Sequence, residues 1–290
     1  MNHPMETKKA LVTGGERGTG RGIVTRLAQE GYDIALTYFF DTEEDLSIEK
    51  EITQMGRRCF LYKVDFRNTE EVERVVGRAV SDLGGLDLLV NNSGIKEPMK
   101  YLYEITADEI DTIFAVNYRA YMLLMRDALR HMMKAGTKGN IVNISSLSAE
   151  RSFPRFSQYG GLKAAICRGT QDVALEAAPY GIRVNSILPG AVNIRTREQL
   201  LRDGKTDEYI RDRLSLGNLI PLQRMVEPIE IGNAVVWLAS EQAAYITGVN
   251  LCVDGGHSLP GIPERKPLEG ETDFGWARMK IMKEEEMKDW

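Results

Sequence analysis

Lys8-Lys9-Ala10-Leu11-Val12-Thr13-Gly14-Gly15-Glu16-Arg17-Gly18-Thr19-Gly20 is the stretch on which the fold turns. Residues 8–12 read as a short buried strand, and Ile23, Leu27 and Ala28 give the inward face of the helix that follows. Between them, glycines at 14, 18 and 20 permit a tight strand-to-helix turn and let a pyrophosphate approach the backbone. The helix opening there offers unpaired N–H donors and the positive end of its dipole. No Gly-Lys-Ser/Thr closes the loop, so it is not a Walker phosphate loop. The reading is a dinucleotide site formed by Gly14, Gly15, Arg17, Gly18, Thr19 and Gly20, with a plain turn as the alternative.

Working outward, strand and helix signals alternate. Strands are predicted at 33–38, 59–64, 86–90, 140–144, 182–187 and 249–253, with helices at 43–55, 69–83, 107–133, 157–178 and 229–239. Thr69 is the expected start of the 69–83 helix and Gly84-Gly85 its stop. Helices between consecutive short apolar strands mean parallel crossovers. The fold class is therefore α/β: a single Rossmann-type, doubly wound, parallel seven-stranded sheet with helices on both faces, plus a C-terminal extension. Residues 1–256 read as one dinucleotide-binding and catalytic domain, 193–220 as a lid over its substrate pocket, and 257–290 as a tail. No repeat or low-complexity linker interrupts the pattern.

Composition sets bounds. In 290 residues, 43% hydrophobic content is ample for a core, and a net charge of -5 without a basic block gives a nucleic-acid partner no electrostatic support. Cys59, Cys167 and Cys252 are odd in number and widely spaced, as suits free thiols in a reducing compartment. His3, His131 and His257 lie too far apart to suggest a metal site, so no metal is expected. The first residues lack a basic flank and apolar core, and no apolar run reaches the roughly 18 residues of a membrane span. A cytoplasmic location without membrane partners is the expectation.

Tyr159 and Lys163 stand one helical turn apart, downstream of a strand that ends in Ser145-Ser146. The free phenol pKa is about 10. An ammonium at i+4 on the same helix face favours phenolate, lowering that pKa toward the range of a general acid/base near neutrality. Ser146 adds a hydroxyl to hold a carbonyl oxygen. Tyr-x-x-x-Lys alone is common on helix surfaces, and the glycine loop makes the catalytic reading the better one.

Assembled in order, these motifs resemble the short-chain dehydrogenase/reductase family over roughly residues 8–256. Residues 146–156 and 189–193 look most like its glucose 1-dehydrogenase and 3-oxoacyl reductase-like branch. The resemblance implies that Asp65 bonds adenine, and Asn91-Asn92-Ser93-Gly94, with Asn92 and Gly94 in the cofactor site, matches the family's Asn-Asn-Ala-Gly. It implies that Asn117, Ser146, Tyr159 and Lys163 are a catalytic tetrad, in which Tyr159 moves the hydroxyl proton. Lys163 would also bond the nicotinamide ribose, and Asn117 would position a proton-passing water. Pro189 and Gly190 match the turn beside the nicotinamide, with Val192 close by. The helices at 107–133 and 157–178 are those that such proteins use to build homotetramers.

Some residues depart from the family pattern. Gly160-Gly161 stands where an Ala pair is common, with Gly161 read as permitting close packing. Ile194 replaces a threonine that bonds the carboxamide. Tyr38 replaces the Asp by which NAD-specific relatives read the ribose. Arg17 lies where NADP-binding relatives carry a cation for the 2′-phosphate, unless it pairs with Glu16 or Asp41. NADP is thus favoured over NAD. The leading function is an NAD(P)-dependent oxidoreductase acting on the carbonyl or secondary alcohol of a small molecule, a sugar, polyol or sugar acid. A 3-oxoacyl thioester reductase and a non-catalytic NAD(P)-binding regulator are the alternatives. Arg151, Arg155, Arg195, Arg197, Lys205, Arg211 and Arg213 are candidates for holding an acidic group on the substrate, or else solvated charges. The tail is expected to be extended over 259–263 and helical over 273–290, docking on a neighbouring subunit or remaining a charged tail.

Overall fold

A computed structural model describes residues 7–259, apart from 97, 196, 203 and 208–215. Seven strands form one sheet: β1 (Lys9–Val12), β2 (Asp33–Tyr38), β3 (Cys59–Lys63), β4 (Leu88–Asn91), β5 (Asn140–Ile144), β6 (Arg183–Pro189) and β7 (Asn250–Val253). Their order is β3-β2-β1-β4-β5-β6-β7 and every pairing is parallel. Ala10, Leu11 and Val12 are wholly buried because helices cover both faces, which is why β1 reads as a continuous apolar run. Alternating Leu11, Leu89 and Ile141 point to one face, Ala10, Val12, Leu88 and Val90 to the other.

On the first face lie α3 (Thr69–Leu83), α5 (Ala120–Ala135) and α6 (Ser157–Ala177). The second carries α1 (Gly18–Gln29), α2 (Glu43–Gln54) and α8 (Pro228–Ala239). Two short helices, α4 (Ala107–Phe114) and α7 (Arg197–Arg202), belong to the loops beyond the strand ends. β1 has β2 on one side and β4 on the other, so the loops leaving β1 and β4 diverge and open a crevice at the carboxyl edge.

Two local expectations need correcting, the unbroken 107–133 helix and the close-packed glycine of the 160–161 pair. The 107–133 stretch is not one regular helix: a π-helical turn over Ala115–Arg119 separates α4 from α5. α3 begins at Thr69 as expected, and its cap is the residue before, Asn68, whose side chain accepts from the Glu70 N–H at 3.0 Å. The close-packed glycine of the 160–161 pair is Gly160, where an added methyl would lie 2.8 Å from the Ser148 carbonyl oxygen; one at Gly161 meets nothing within 4 Å. The tail helix expected at 273–290 and the arginines at 211 and 213 lie outside the described residues.

α1 and α8 approach through glycines. A methyl on Gly22 would lie 2.3 Å from the Pro228 carbonyl carbon, and one on Gly232 2.7 Å from the Gly22 oxygen. Gly22→Ala is expected to cost about 1–3 kcal/mol by overpacking. Gly77→Ala, in the interior of α3 with nothing within 4 Å, should be neutral or stabilising. Denaturant midpoints of the two variants check this, and equal behaviour contradicts the packing account.

Candidate active site

The glycine loop is bent by the strand it leaves. Thr13 Oγ1 accepts the backbone N–H groups of Asn92 and Ser93, at 2.8 and 3.0 Å, and Asn92 Nδ2 donates back to the Thr13 and Gly14 oxygens at 2.9 and 3.0 Å. Gly14 N–H donates to Thr37 Oγ1 and Gly15 N–H to the Thr37 oxygen, both at 3.0 Å. Backbones here are too close for side chains. A methyl on Gly20 would lie 1.8 Å from the Gly14 oxygen, and Gly14 and Gly18 adopt φ of 61° and 51°. The loop thus delivers bare backbone to the amino end of α1, the cradle a pyrophosphate requires.

This cradle is one wall of a cleft of about 1280 Å³ that runs along the carboxyl edge of the sheet. Gly14, Arg17, Gly18, Thr19, Gly20, Tyr38, Asp65, Asn92, Gly94 and Ile194 all line it. Gly15 does not; it packs beneath, where a methyl would lie 2.8 Å from Val24 and 2.9 Å from Leu36. Pro189, Gly190 and Val192 also lie off its walls. Gly190 instead donates to the Val253 oxygen at 3.0 Å and lies so close to Asp254 that a methyl would come within 2.8 Å of its Cα. Ile194 sits over Gly18, an apolar roof where a hydroxyl was the family pattern.

Charges at the β2 end of the cleft are paired. Arg17 Nε donates to Asp45 Oδ1 at 2.9 Å, its Nη2 bonds the other carboxylate oxygen, and the guanidinium lies 4.2 Å from the Phe40 ring centre. Neither Glu16 nor Asp41 holds it: Asp41 pairs with Lys63, and Glu16 is buried, its carboxyl raised by desolvation. Asp65 is gripped by Arg67, with Nε at 2.9 and 3.0 Å from its two oxygens, which lowers its pKa. Asp45, Arg67, Thr13 and Thr37 were missed by the sequence reading. Only Thr13, directly after a buried strand, carried a local signal.

The tetrad sits at the inner end, off the cleft walls but joined to them by Gly94: a methyl there would lie 3.3 Å from Asn117 Oδ1 and 3.7 Å from Lys163 Nζ. Asn117 lies in the π turn, wholly buried, and its amide clamps Ile95, donating to its oxygen at 2.7 Å and accepting its N–H at 2.9 Å. Its side chain thus fixes the segment after β4. Ser146 follows β5, and its hydroxyl donates to Ser148 Oγ at 3.2 Å and accepts the Ser148 N–H at 3.1 Å. Lys163 Nζ, one turn past Tyr159, donates to the Ile144 oxygen at 2.8 Å and lies 5.8 Å from the Tyr159 ring centre.

Burial dominates the titration. It raises the Tyr159 pKa, opposed by the Ser146 hydrogen bond, and takes Lys163 down to about 7. The phenol thus stands above its ordinary value where a lowered one was expected, because burial outweighs the lowering contribution. An ammonium itself deprived of water and turned to a backbone carbonyl does not offset the desolvation of the ring. Arg155, just ahead of α6, adopts φ of 67°, a strained turn that leads into Phe156, whose ring stands edge-on to Tyr159 at 5.6 Å. Among the described residues there is no His/Cys/Asp/Glu group able to hold a metal, and no helix long and apolar enough to cross a membrane.

Comparison with known proteins places this chain among oxidoreductases. A family model described as enoyl-(acyl carrier protein) reductase matches residues 14–258. Glucose 1-dehydrogenase 2 of Bacillus subtilis is 34% identical over 87% of this chain and 95% of its own. L-rhamnose 1-dehydrogenase (NAD(P)(+)) of a Sphingomonas species is 32% identical over 87% and 96%. The structure of a short-chain dehydrogenase/reductase from Serratia marcescens superposes with a TM-score of 0.78, at 34% identity, over 88% of this chain and all of that one.

Lys163 gives the site a pH signature in stability. Its pKa lies at about 7 folded against an ordinary 10.5, so between these values the unfolded chain binds the extra proton and stability from this group rises with pH. Lys163→Met should remove that rise. Unfolding free energies at pH 7 and pH 9 test this; an undiminished rise in the variant contradicts the buried ammonium.

Proposed function

The chain belongs to the short-chain dehydrogenase/reductase family, and from that premise we propose that its Ser146–Tyr159–Lys163 site oxidises and reduces the carbinol or carbonyl carbon of a sugar, polyol or sugar acid. It is an NAD(P)-dependent oxidoreductase acting on CH–OH groups. The observation that carries the mechanism is the placement of Tyr159 and Lys163 one helical turn apart on α6, with Nζ 5.8 Å from the Tyr159 ring centre, at the inner end of the cleft.

The glycine cradle fits a pyrophosphate, because any side chain at 14 or 20 closes it. Gly14, Gly18, Thr19 and Gly20 would hold that group, Tyr38 and Asp65 would border the adenosine, and Asn92, Gly94 and Ile194 the nicotinamide half. The bound dinucleotide supplies the hydride acceptor or donor. Ser146 holds the substrate oxygen; Tyr159 gives that oxygen a proton in reduction and removes it in oxidation. A phenol raised by burial is a fully protonated donor at neutral pH, and a charged Lys163 favours the phenolate it leaves. Asn117 acts through Ile95, keeping the β4 loop and Gly94 against Lys163.

The finer choice of NADP over NAD rests on Arg17 in the loop and on Tyr38 where an acidic ribose reader would stand. Asp45 works against it, since a 2′-phosphate must compete with a carboxylate for the same guanidinium. The sugar-like substrate class rests on the two sugar dehydrogenases among the relatives. A cytoplasmic homotetramer is the accompanying reading. It rests on family habit and on Leu175, 76% exposed on α6, and a native mass below four chains counts against it.

Tyr159→Phe is expected to lower kcat by about 10²–10⁴-fold while leaving NADH and NADPH binding within a few-fold. Coenzyme fluorescence titration and turnover across aldoses, polyols and 3-oxoacyl thioesters test this. Full activity of the variant sinks the mechanism, and turnover confined to the thioesters sinks the substrate class.

A further inference from the structure

We infer that Tyr121 is a positioning residue for Lys163, a second phenol that keeps the buried ammonium charged and aimed; this rests on the proposed role of Lys163. Tyr121 lies on the first turn of α5, one turn beyond Asn117, and the π turn between α4 and α5 leaves both residues inside, Asn117 at 0% and Tyr121 at 1% exposure. Its hydroxyl donates to the Ile144 oxygen at 3.2 Å. A phenol has one proton to give, so towards Lys163 Nζ, 3.5 Å away, its oxygen acts as an acceptor.

Lys163 Nζ donates to that same Ile144 carbonyl at 2.8 Å. Nζ, Oη and the carbonyl oxygen therefore form a triangle, and the Tyr121 ring lies 5.2 Å from Nζ, close enough for a cation–π attraction. An ammonium has three protons. Two are taken by the triangle, which leaves one for the ribose side of the site.

Among the described residues, no carboxylate contributes to this arrangement. The titratable groups around Nζ are Tyr121 from α5 and Tyr159 and Cys167 from α6; the polar neighbours from the π turn and the β4 loop, Asn117 and Gly94, carry no charge. Burial keeps Tyr121 protonated far above neutrality, so its oxygen stays a neutral acceptor wherever Lys163 titrates. Without a counter-charge, the Ile144 carbonyl and the Tyr121 oxygen and ring are what offset the cost of burying the ammonium. The same hydroxyl also pins the end of β5 two residues before Ser146, tying the lysine and serine of the tetrad to one carbonyl.

The sign follows directly. Removing an acceptor from the charged form makes the ammonium easier to deprotonate, so the lysine loses its proton at lower pH. Tyr121→Phe keeps the ring and deletes the acceptor. Carbonyl reduction should then lose activity on the alkaline side about one pH unit earlier than in the wild type. Above that limb kcat should fall about tenfold, and below it change little, with coenzyme affinity at acid pH preserved. In the protein without coenzyme, the ¹⁵N resonance of Lys163 Nζ should titrate with a midpoint lower by the same interval.

Incorporating 3-fluorotyrosine at 121, which preserves shape and weakens the oxygen as an acceptor, should move both readouts the same way by less, and serves if the Phe variant does not fold. An unchanged Lys163 midpoint and alkaline limb in a folded variant overturns the inference. Absence of any turnover in the wild type overturns the proposed function instead, and the Lys163 titration stays readable in that case.

Discussion

Thr13 directly follows the first strand with a buried hydroxyl that accepts the two backbone N–H groups just after the fourth, and the site depends on that junction. β1 and β4 are neighbours, but their connections leave in opposite directions, so two loops that would drift apart must be held at one point. Asn92 returns two hydrogen bonds to the Thr13 and Gly14 carbonyls, which fixes the glycine loop against the β4 loop. From there the contacts run Gly94 to Asn117 and Lys163, and Lys163 to the carbonyl before Ser145-Ser146. The glycine loop and the residues proposed to transfer the proton are thus one continuous construction, carried by the parallel register of β1, β4 and β5.

That construction places charge where water is scarce. The phenol resists ionisation and the lysine amine resists protonation, both because of burial. A proton-transfer pair with pKa values displaced from their ordinary range is a frequent mark of a working site, and its cost is met by tightly packed surroundings. The wholly buried apolar strands and the two helix layers supply that packing. The mouth of the cleft carries paired charges: Arg17 holds the buried Asp45, and Arg67 holds Asp65 at a more exposed position, where the bridge contributes little to stability but sets the local field.

Much of this is legible in the chain. Buried parallel strands are short apolar runs, and the glycines of the loop are forced by backbone contacts that admit no methyl, so the sheet class and the bend of the loop follow from local sequence, whereas Asn117, Ser146, Tyr159 and Lys163 were grouped by the family resemblance. What stayed hidden is long-range or subtle. Arg17 and Asp45 are 28 residues apart, so nothing local indicates their pairing. The π turn at Ala115–Arg119 leaves the 3.6-residue apolar period nearly intact, so 107–133 reads as one helix. Gly160 and Gly161 are indistinguishable until Ser148 is seen against one of them. Tyr121, in an apolar helix face, reads as core until its hydroxyl is found beside Lys163.

The central claim is that this chain moves a hydride directly between a carbinol carbon and the nicotinamide while Tyr159 carries the proton. An alcohol that the enzyme oxidises, deuterated at its carbinol carbon, tests that claim most directly when the reduced coenzyme is analysed by mass spectrometry and NMR. Deuterium recovered quantitatively at the nicotinamide C4 of the coenzyme is the predicted result. Deuterium released to water, or reduced coenzyme without label, contradicts it.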